Sequence, residues 1–191
     1  MNNSPILLSF SEEFQTDRLI IRAPRWGDGI LVNEAIQESL NEFRPWLRIA
    51  RNIPSVEESE AHVRKARLNF LERIDLVLHL FDKDTGNFIG SSGLHRLDWS
   101  IRKFEIGYWI RTSRTKEGLA TEAVKGIVTF AINDLLANRI EIRSNSRNER
   151  SNRVAERSGF TLEGTLRNMK LDESGNLADI NVFSKVRGIE Y

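Results

Sequence analysis

Apolar and polar positions along this chain follow two periods, one typical of strands and one typical of helices. Period-two alternation and short apolar runs predict strands over residues 18–23, 76–81, 88–97, 103–111, 139–143, 160–171 and 177–186. Apolar residues spaced three and four apart predict helices over residues 28–43, 55–73, 119–136 and 148–158. Strands and helices alternate in this order, which predicts one domain over residues 1–191: a mixed α/β sheet with helices on both faces.

The strand predicted over residues 103–111 carries a carboxylate among apolar residues. Because side chains alternate across a strand, Glu105 shares one face with Gly107 and Trp109, whereas Tyr108 points to the other face. Burying a carboxylate is costly, so Glu105 is either in a structural ion pair with an arginine or a general base that faces a cleft. Gly107 would leave room for a ligand on that face.

A basic turn, residues 114–121, follows this strand and opens the long predicted helix. It offers consecutive backbone N–H groups, two cations and small side chains, which suits a pyrophosphate at a helix N-terminus. Gly118 and Ala120 allow a phosphate to approach the backbone closely. The sequence has neither a Walker motif nor a three-glycine dinucleotide fingerprint, so a nucleoside triphosphatase is disfavoured.

Composition narrows the class of protein. The chain has 191 residues, 40% of them hydrophobic, and a net charge of +1, so nothing indicates direct nucleic-acid or membrane binding. There is no cysteine, which excludes disulfides, thiolate metal sites and a cysteine acyl-enzyme, and three scattered histidines make a metal site unexpected. No apolar run is long enough for a membrane span or a signal peptide, so we expect a cytoplasmic location.

Three blocks of the sequence, in order, resemble GNAT-family N-acetyltransferases, and more closely the branch that acetylates ribosomal-protein N-termini. The first block is 16–22, the second combines 105–109 with 118–123, and the third is 148–160. The resemblance implies the GNAT acyltransferase fold, with a mostly antiparallel central sheet. It also implies direct transfer of an acetyl group from acetyl-CoA to an amine, without a metal. The absence of cysteine agrees with a ternary complex that forms no thioester on the protein.

The resemblance also implies roles for individual residues. The backbone of Trp109 and Ile110 would hold the pantetheine arm, and Asn148 would contact it. Glu105 would accept the amine proton, and Ser151 would lie near the sulfur as a donor. The basic turn would bind the pyrophosphate through Arg114, Lys116, Glu117, Gly118, Leu119, Ala120 and Thr121.

The chain departs from the family pattern in the basic turn and in the residues that exchange protons during the reaction. Thr115 stands where the family usually has Gln or Arg, and residues 167–170 lack the second acidic residue that some members place there. Many members use a tyrosine as general acid, but Tyr108 points away from the face of Glu105. Ser151 is the remaining hydroxyl, and its alternative role is a helix cap.

Two further residues are candidates for the acceptor site. Trp46 either shapes the acceptor pocket or packs within a loop, and His95 either borders the acceptor cleft or is a half-exposed strand end. His62 and His79 have no evident partner in the sequence. Arginines are frequent between residues 139 and 157, and their mixture with glutamates favours a solvated face over a phosphate site.

The sequence therefore predicts an N-acetyltransferase whose acceptor is the N-terminal α-amino group of a protein, possibly ribosomal. An α-amino group has a pKa of roughly 8 against roughly 10.4 for lysine, so a base acting through water would suffice. Two alternatives remain at this point. One is acetylation of a small-molecule amine such as an antibiotic, a polyamine or an amino acid; the other is a catalytically silent CoA-binding module.

Overall fold

The computed structural model describes residues 4–47, 53–172 and 174–191. In these ranges the helices are α1 (Gly29–Phe43), α2 (Val56–Leu71), α3 (Leu119–Asn133) and α4 (Glu149–Arg157). The strands are β1 (Glu13–Gln15), β2 (Leu19–Arg22), β3 (Leu76–Asp82), β4 (Phe88–Asp98), β5 (Lys103–Ile110), β6 (Arg139–Asn145), β7 (Thr161–Leu171) and β8 (Leu177–Val186). None of the helices in the described ranges is long and apolar enough to cross a membrane.

The strands form one sheet in the order β1-β2-β3-β4-β5-β6-β8-β7. All neighbouring strands are antiparallel except β5 and β6, which run parallel. The larger apolar core lies between the sheet and α3, with α4 at its margin, and includes Ile106, Ile127 and Ala155. A smaller core, with Ile36 and Val63, joins α1 and α2 to the opposite face. The predicted mixed, mostly antiparallel sheet with helices on both faces is confirmed.

The boundaries of α3 and the first strand differ from the prediction. The apolar stripe predicted a helix to residue 136, but α3 ends at Asn133. Leu136 takes a left-handed conformation with φ of 53°, and the Ala137 N–H bonds back to the Ala131 carbonyl at 2.8 Å. The left-handed residue and this backbone bond close the C-terminal end of the helix. Strand β1, three residues long, was not predicted because it is too short to show a period.

A buried charged network ties β2 and β3 to the start of α1. Asp28 accepts hydrogen bonds from the Arg22 guanidinium at 2.8 Å, from the Arg25 N–H at 2.8 Å and from His79 Nδ1 at 2.9 Å. The sequence analysis found no partner for His79, but its side chain is 4% exposed and packed on Asp28. Burial alone would raise the pKa of Asp28, but the hydrogen bonds from His79, Arg22 and Arg25 hold it well below its usual range. Burial lowers the pKa of His79, and this effect outweighs the hydrogen bond and the charge of Asp28, which act in the opposite direction.

We expect the free energy of unfolding to fall as the pH drops below about 6.5, where a histidine in the unfolded chain takes up a proton. Because the folded state resists protonation of His79, the unfolded state binds more protons in this window, and stability rises with pH. One such proton gives a slope of up to about 1.4 kcal/mol per pH unit. Denaturant unfolding at several pH values should show a flatter slope for His79→Gln, whereas the exposed His62→Gln should keep the parental slope. Equal slopes for the parent and His79→Gln would contradict this origin.

Candidate active site

The sheet opens into a gap where its two parallel strands meet. Strands β5 and β6 pair only at Lys103↔Arg139, Phe104↔Ile140 and Glu105↔Glu141. Beyond Glu105, β5 continues to Ile110 paired with β4 alone, and beyond Glu141, β6 continues paired with β8. In the described structure these two strand ends therefore diverge into a splay, and each presents unpaired backbone groups to it.

The backbone of β5 offers alternate residues to the splay. The Arg111 N–H donates to the Ile89 carbonyl at 2.9 Å, and the Trp109 carbonyl is turned toward Gly90 on β4. Since backbone directions alternate along an antiparallel strand, Tyr108 and Ile110 turn their N–H and C=O groups toward the gap. The predicted backbone contact at Ile110 is compatible with this geometry. The Trp109 backbone is directed to β4, and its role in holding the pantetheine arm stays a prediction.

The Trp109 side chain belongs to the smaller core. Its indole packs against Phe43 on α1, with ring centroids 5.3 Å apart, and against Phe88 on β4, at 5.8 Å. Trp109 thus fixes α1 on the sheet beside the splay.

The basic turn presents free donors at the start of α3. Lys116 and Gly118 both have left-handed backbones, with φ of 68° and 81°. Among the described residues, no acceptor binds the N–H groups of Lys116, Glu117, Gly118, Leu119, Ala120 and Thr121. Six consecutive free donors at the positive end of a helix dipole form an anion site, so these residues fit the diphosphate of CoA.

The charged side chains of the basic turn are arranged differently from the prediction. The Arg114 guanidinium is held at 2.9 Å by Asp82 and at 3.0 Å by Glu117, so its charge is balanced inside the turn. Arg114 and the Glu117 carboxylate therefore shape the turn and do not point freely at a phosphate. Arg18, which the sequence analysis did not single out as a site residue, also contacts the basic turn. It donates to the Glu117 carbonyl at 3.0 Å, its Nη2 lies 3.7 Å from the position that a Cβ on Gly118 would take, and its guanidinium is paired with Glu122 at 2.6 Å.

Glu105 lies at the vertex of the splay, on the sheet face that carries α1 and α2. Its side chain is 19% exposed, and Oε2 contacts Arg96 Nη1 at 3.0 Å and Arg143 Nε at 3.5 Å. Arg143 also binds Glu141 at 3.0 Å, which links the two carboxylates across the strand pair. The ion-pair interpretation of Glu105 thus holds for Oε2, while Oε1 has no partner among the described residues.

His95 fills the space that Gly107 was predicted to leave for a ligand. A Cβ on Gly107 would lie 3.1 Å from Cδ2 and 3.2 Å from Nε2 of His95, so the imidazole lies directly over the glycine. His95 is the register partner of Glu105, and its Nδ1 bonds to Asp75 at 2.6 Å. The predicted room over Gly107 is therefore occupied, and His95 borders the Glu105 face of the splay.

Ser151 lies on the other face of the splay and is not the cap of its helix. Asn148 caps α4 by accepting from the Ser151 N–H at 3.2 Å. The Ser151 hydroxyl lies 2.9 Å from the Tyr108 hydroxyl, which also donates to the Ser151 carbonyl at 3.0 Å. Burial raises the pKa of Tyr108 to about 12. Tyr108 does point away from Glu105, as predicted, but it thereby joins Ser151. Sequence reasoning missed this pair because 43 residues separate its members.

The other residues that the sequence analysis considered are Trp46 and the arginines between residues 139 and 157. Trp46 is half-buried in the turn after α1, where its N–H bonds to the Phe43 carbonyl at 2.9 Å, and its acceptor role stays a prediction. Arginines between residues 139 and 157 are mostly paired with acidic residues, as a solvated face requires: Arg139, Arg143, Arg147, Arg150 and Arg153. The described residues contain no group of three or more His, Cys, Asp or Glu side chains that could hold a metal ion.

Comparison with known proteins agrees with this geometry. Residues 18–161 match the acetyltransferase (GNAT) domain. YdaF of Bacillus subtilis (strain 168), which its name places provisionally among ribosomal N-acetyltransferases, is 33% identical over 154 residues, 79% of this chain and 82% of YdaF.

Solved structures share the fold. RimL, a ribosomal L7/L12 alpha-N-protein acetyltransferase in complex with coenzyme A, superposes with a TM-score of 0.85 at 20% identity, over 92% of this chain and 98% of RimL. MccE, a microcin C7 self-immunity acetyltransferase in complex with acetyl-CoA and AMP, superposes with a TM-score of 0.83 at 22% identity, over 90% of this chain and 93% of MccE. The splayed strands, the free donors of the basic turn and the family match together show that the chain belongs to the GNAT family and is an acetyl-CoA-dependent N-acetyltransferase.

Proposed function

We propose that this enzyme acetylates the N-terminal α-amino group of a protein, with a ribosomal protein as the first candidate. The observation that carries the proposal is the carboxylate at the vertex of the splay: Glu105 Oε2 is held by arginines, and Oε1 is left for an amine or its water. The ribosomal assignment of YdaF supports the acceptor class. An acceptor of this kind places the reaction in the cytoplasm.

The two faces of the splay would divide the chemistry. Acetyl-CoA supplies an activated acetyl thioester. Free N–H groups of the basic turn would hold its diphosphate, and the backbone of Ile110 would hold its arm. On the face of α1 and α2, Glu105 would draw the proton from the incoming amine, directly or through water. On the face of α4, the Ser151 hydroxyl, which lies 2.9 Å from the Tyr108 hydroxyl, would turn its hydrogen to the departing sulfur and donate to it.

An α-amino group is an easier acceptor for a carboxylate base than a lysine amine is. Its pKa of roughly 8 leaves an appreciable neutral fraction near neutral pH, whereas a lysine amine at roughly 10.4 is almost fully protonated. We therefore expect peptides with a free N-terminus to be better acceptors than peptides whose only amine is a lysine side chain.

The proposal is tested by incubating the enzyme with acetyl-CoA and a pool of ribosomal proteins, with free thiol release as the rate. Mass spectrometry should locate new acetyl groups on N-termini rather than on lysine side chains. Thiol release with polyamines, amino acids or aminoglycosides but not with peptides would replace the proposal by small-molecule acetylation. If none of the amines tested causes thiol release, the protein is a silent CoA-binding module.

Ser151→Ala is expected to lower kcat by about tenfold or more with nearly parental stability. The reason is that Asn148 caps α4, so removing the Ser151 hydroxyl leaves the helix cap in place. Thermal melts and acetyl-transfer kinetics on one preparation test this. Asn148→Ala is the matched variant for the melts, because losing the cap should cost about 1 kcal/mol. A Ser151→Ala enzyme with parental kcat would remove Ser151 from the reaction.

A further inference from the structure

We propose that His95, held by Asp75, is a catalytic residue that takes over the acceptor proton from Glu105 during acetyl transfer. The inference rests on the proposed transfer to an amine and adds a second proton carrier to it. It is carried by three observations: the geometry of the Asp75–His95 pair, the position of the imidazole over Gly107, and the arrangement of charges around Glu105.

The Asp75–His95 pair fixes the free nitrogen of the imidazole. His95 Nδ1 lies 2.6 Å from Asp75 Oδ1, and the two side chains are 33% and 29% exposed. An ionised carboxylate only accepts hydrogen bonds, so Nδ1 carries the hydrogen and Nε2 carries the lone pair. Nε2 has no hydrogen-bond partner among the described residues. The pair thus resembles a base with its orienting carboxylate, as in other proton-transfer sites.

The imidazole lies beside the point where the strands part. Its Nε2 would be 3.2 Å from a Cβ on Gly107, two residues beyond Glu105 on the same face of β5. Glycine at this position is what allows the ring to lie there, because any side chain would push against it. An amine that approaches the vertex of the splay from the face of α1 and α2 meets Glu105 and His95 together.

The charged groups around Glu105 leave a place for a second proton carrier. Arg96 and Arg143 both contact Oε2 of Glu105, so Oε1 is the oxygen left for the acceptor. The charged groups around His95 are Asp75, bonded to its Nδ1, and Glu105, its register partner, with Arg96 and Arg143 on the far side of that carboxylate. The bond to Asp75 leaves Nε2 as the ring nitrogen that can take a proton. A proton drawn from the amine by Glu105 therefore has His95 Nε2 as its next acceptor.

Acetyl transfer takes one proton off the amine and puts one proton on the sulfur. The amine nitrogen bonds to the carbonyl carbon of the thioester, and the carbon–sulfur bond breaks with its electron pair leaving on sulfur. The amine proton passes by Glu105, or by water held at Oε1, to His95 Nε2, and the resulting imidazolium is paired with Asp75. Bulk water then removes that proton and restores the neutral ring. The sulfur takes a proton from the Ser151 hydroxyl, and bulk water returns a proton to Ser151, so one proton leaves through His95 and one enters through Ser151.

The main experiment compares parent, His95→Gln, His95→Ala and His62→Gln in acetyl transfer to a peptide with a free N-terminus, across a pH series. We expect His95→Gln to lower kcat about tenfold or more and to lose the rising limb of the pH profile, with an unchanged KM for acetyl-CoA. Added imidazole should restore part of the rate of His95→Ala, because a third of the side chain is open to solvent. His62→Gln, on the exposed side of α2, should behave as the parent.

A second measurement does not depend on the acceptor. The nitrogen chemical shifts of the His95 ring in the free enzyme should show the hydrogen on Nδ1, and Asp75→Asn should weaken that preference. A hydrogen on Nε2 would overturn the relay, and so would parental kcat and pH profile in His95→Gln. If the parent acetylates no peptide, the proposed function fails, while the ring tautomer still decides whether His95 can accept a proton.

Discussion

Glu105→Gln is expected to lower turnover by about 10²-fold or more near neutral pH, while CoA binds as tightly as to the parent. Glutamine keeps the shape of the side chain and can still accept from Arg96, but it can neither take up a proton nor hold a positively charged amine. CoA affinity should persist because the basic turn and the backbone of Ile110 are untouched. Thiol-release kinetics and calorimetry with CoA provide the two measurements.

The matched variant for this experiment is Glu141→Gln. Glu141 is the register partner of Glu105 and is also bound by arginine, but it is 5% exposed and paired with both Arg139 and Arg143. We expect its loss to reduce stability more than kcat per folded molecule, because Arg139 and Arg143 each lose a charged partner there. If Glu105→Gln behaves in the same way, with a lower melting temperature and parental kcat per folded molecule, Glu105 is only a structural ion-pair partner.

Gly118→Val should raise the dissociation constant of CoA by about 10- to 100-fold. Gly118 has φ of 81°, a conformation that a β-branched residue strongly resists, so the turn must move. The N–H groups around it would then lose their common direction, and each charge-assisted hydrogen bond lost costs about 1.5–3 kcal/mol. Calorimetric titration of the folded variant with CoA measures the change.

Gly188→Val separates local strain from ligand binding. Gly188 also has φ of 81° and has no atom within 4 Å of its added Cβ, but it lies after β8, away from the basic turn. The Gly188→Val variant should lose about as much stability as Gly118→Val and keep the parental affinity for CoA. Equal CoA affinity in folded Gly118→Val and the parent would show that the basic turn does not hold the diphosphate.

Local sequence patterns predicted all four α-helices and seven of the eight strands of the described structure, together with the turn whose free N–H groups open α3. Alternation placed Glu105 and Tyr108 on opposite faces of one strand, and the structure confirms this, since Tyr108 reaches α4 and Glu105 reaches Arg143. Such features depend on neighbours in the sequence, where the helical and strand periods determine which side chains share a face.

Partners distant in the sequence could not be predicted in the same way. His79 lies 51 residues from Asp28, and His95 lies 20 residues from Asp75. The first pair forms only when α1 packs on the sheet, and the second only when β3 and β4 take their register. The pairing of Arg114 was missed for a similar reason, because its partner Asp82 comes from the end of β3. A count of charges along the turn cannot show that one cation is already neutralised.

The three register pairs between β5 and β6 join two leaves of one sheet, with β1 to β5 on one side and β6, β8 and β7 on the other. A molecule that lies in the splay and bonds to the backbone of both leaves would complete the sheet. If CoA bonds in this way, it serves as a strand as well as a reactant. Amide hydrogens of β6 beyond Glu141 should then exchange more slowly when CoA is bound, because the bound molecule would cover their open side.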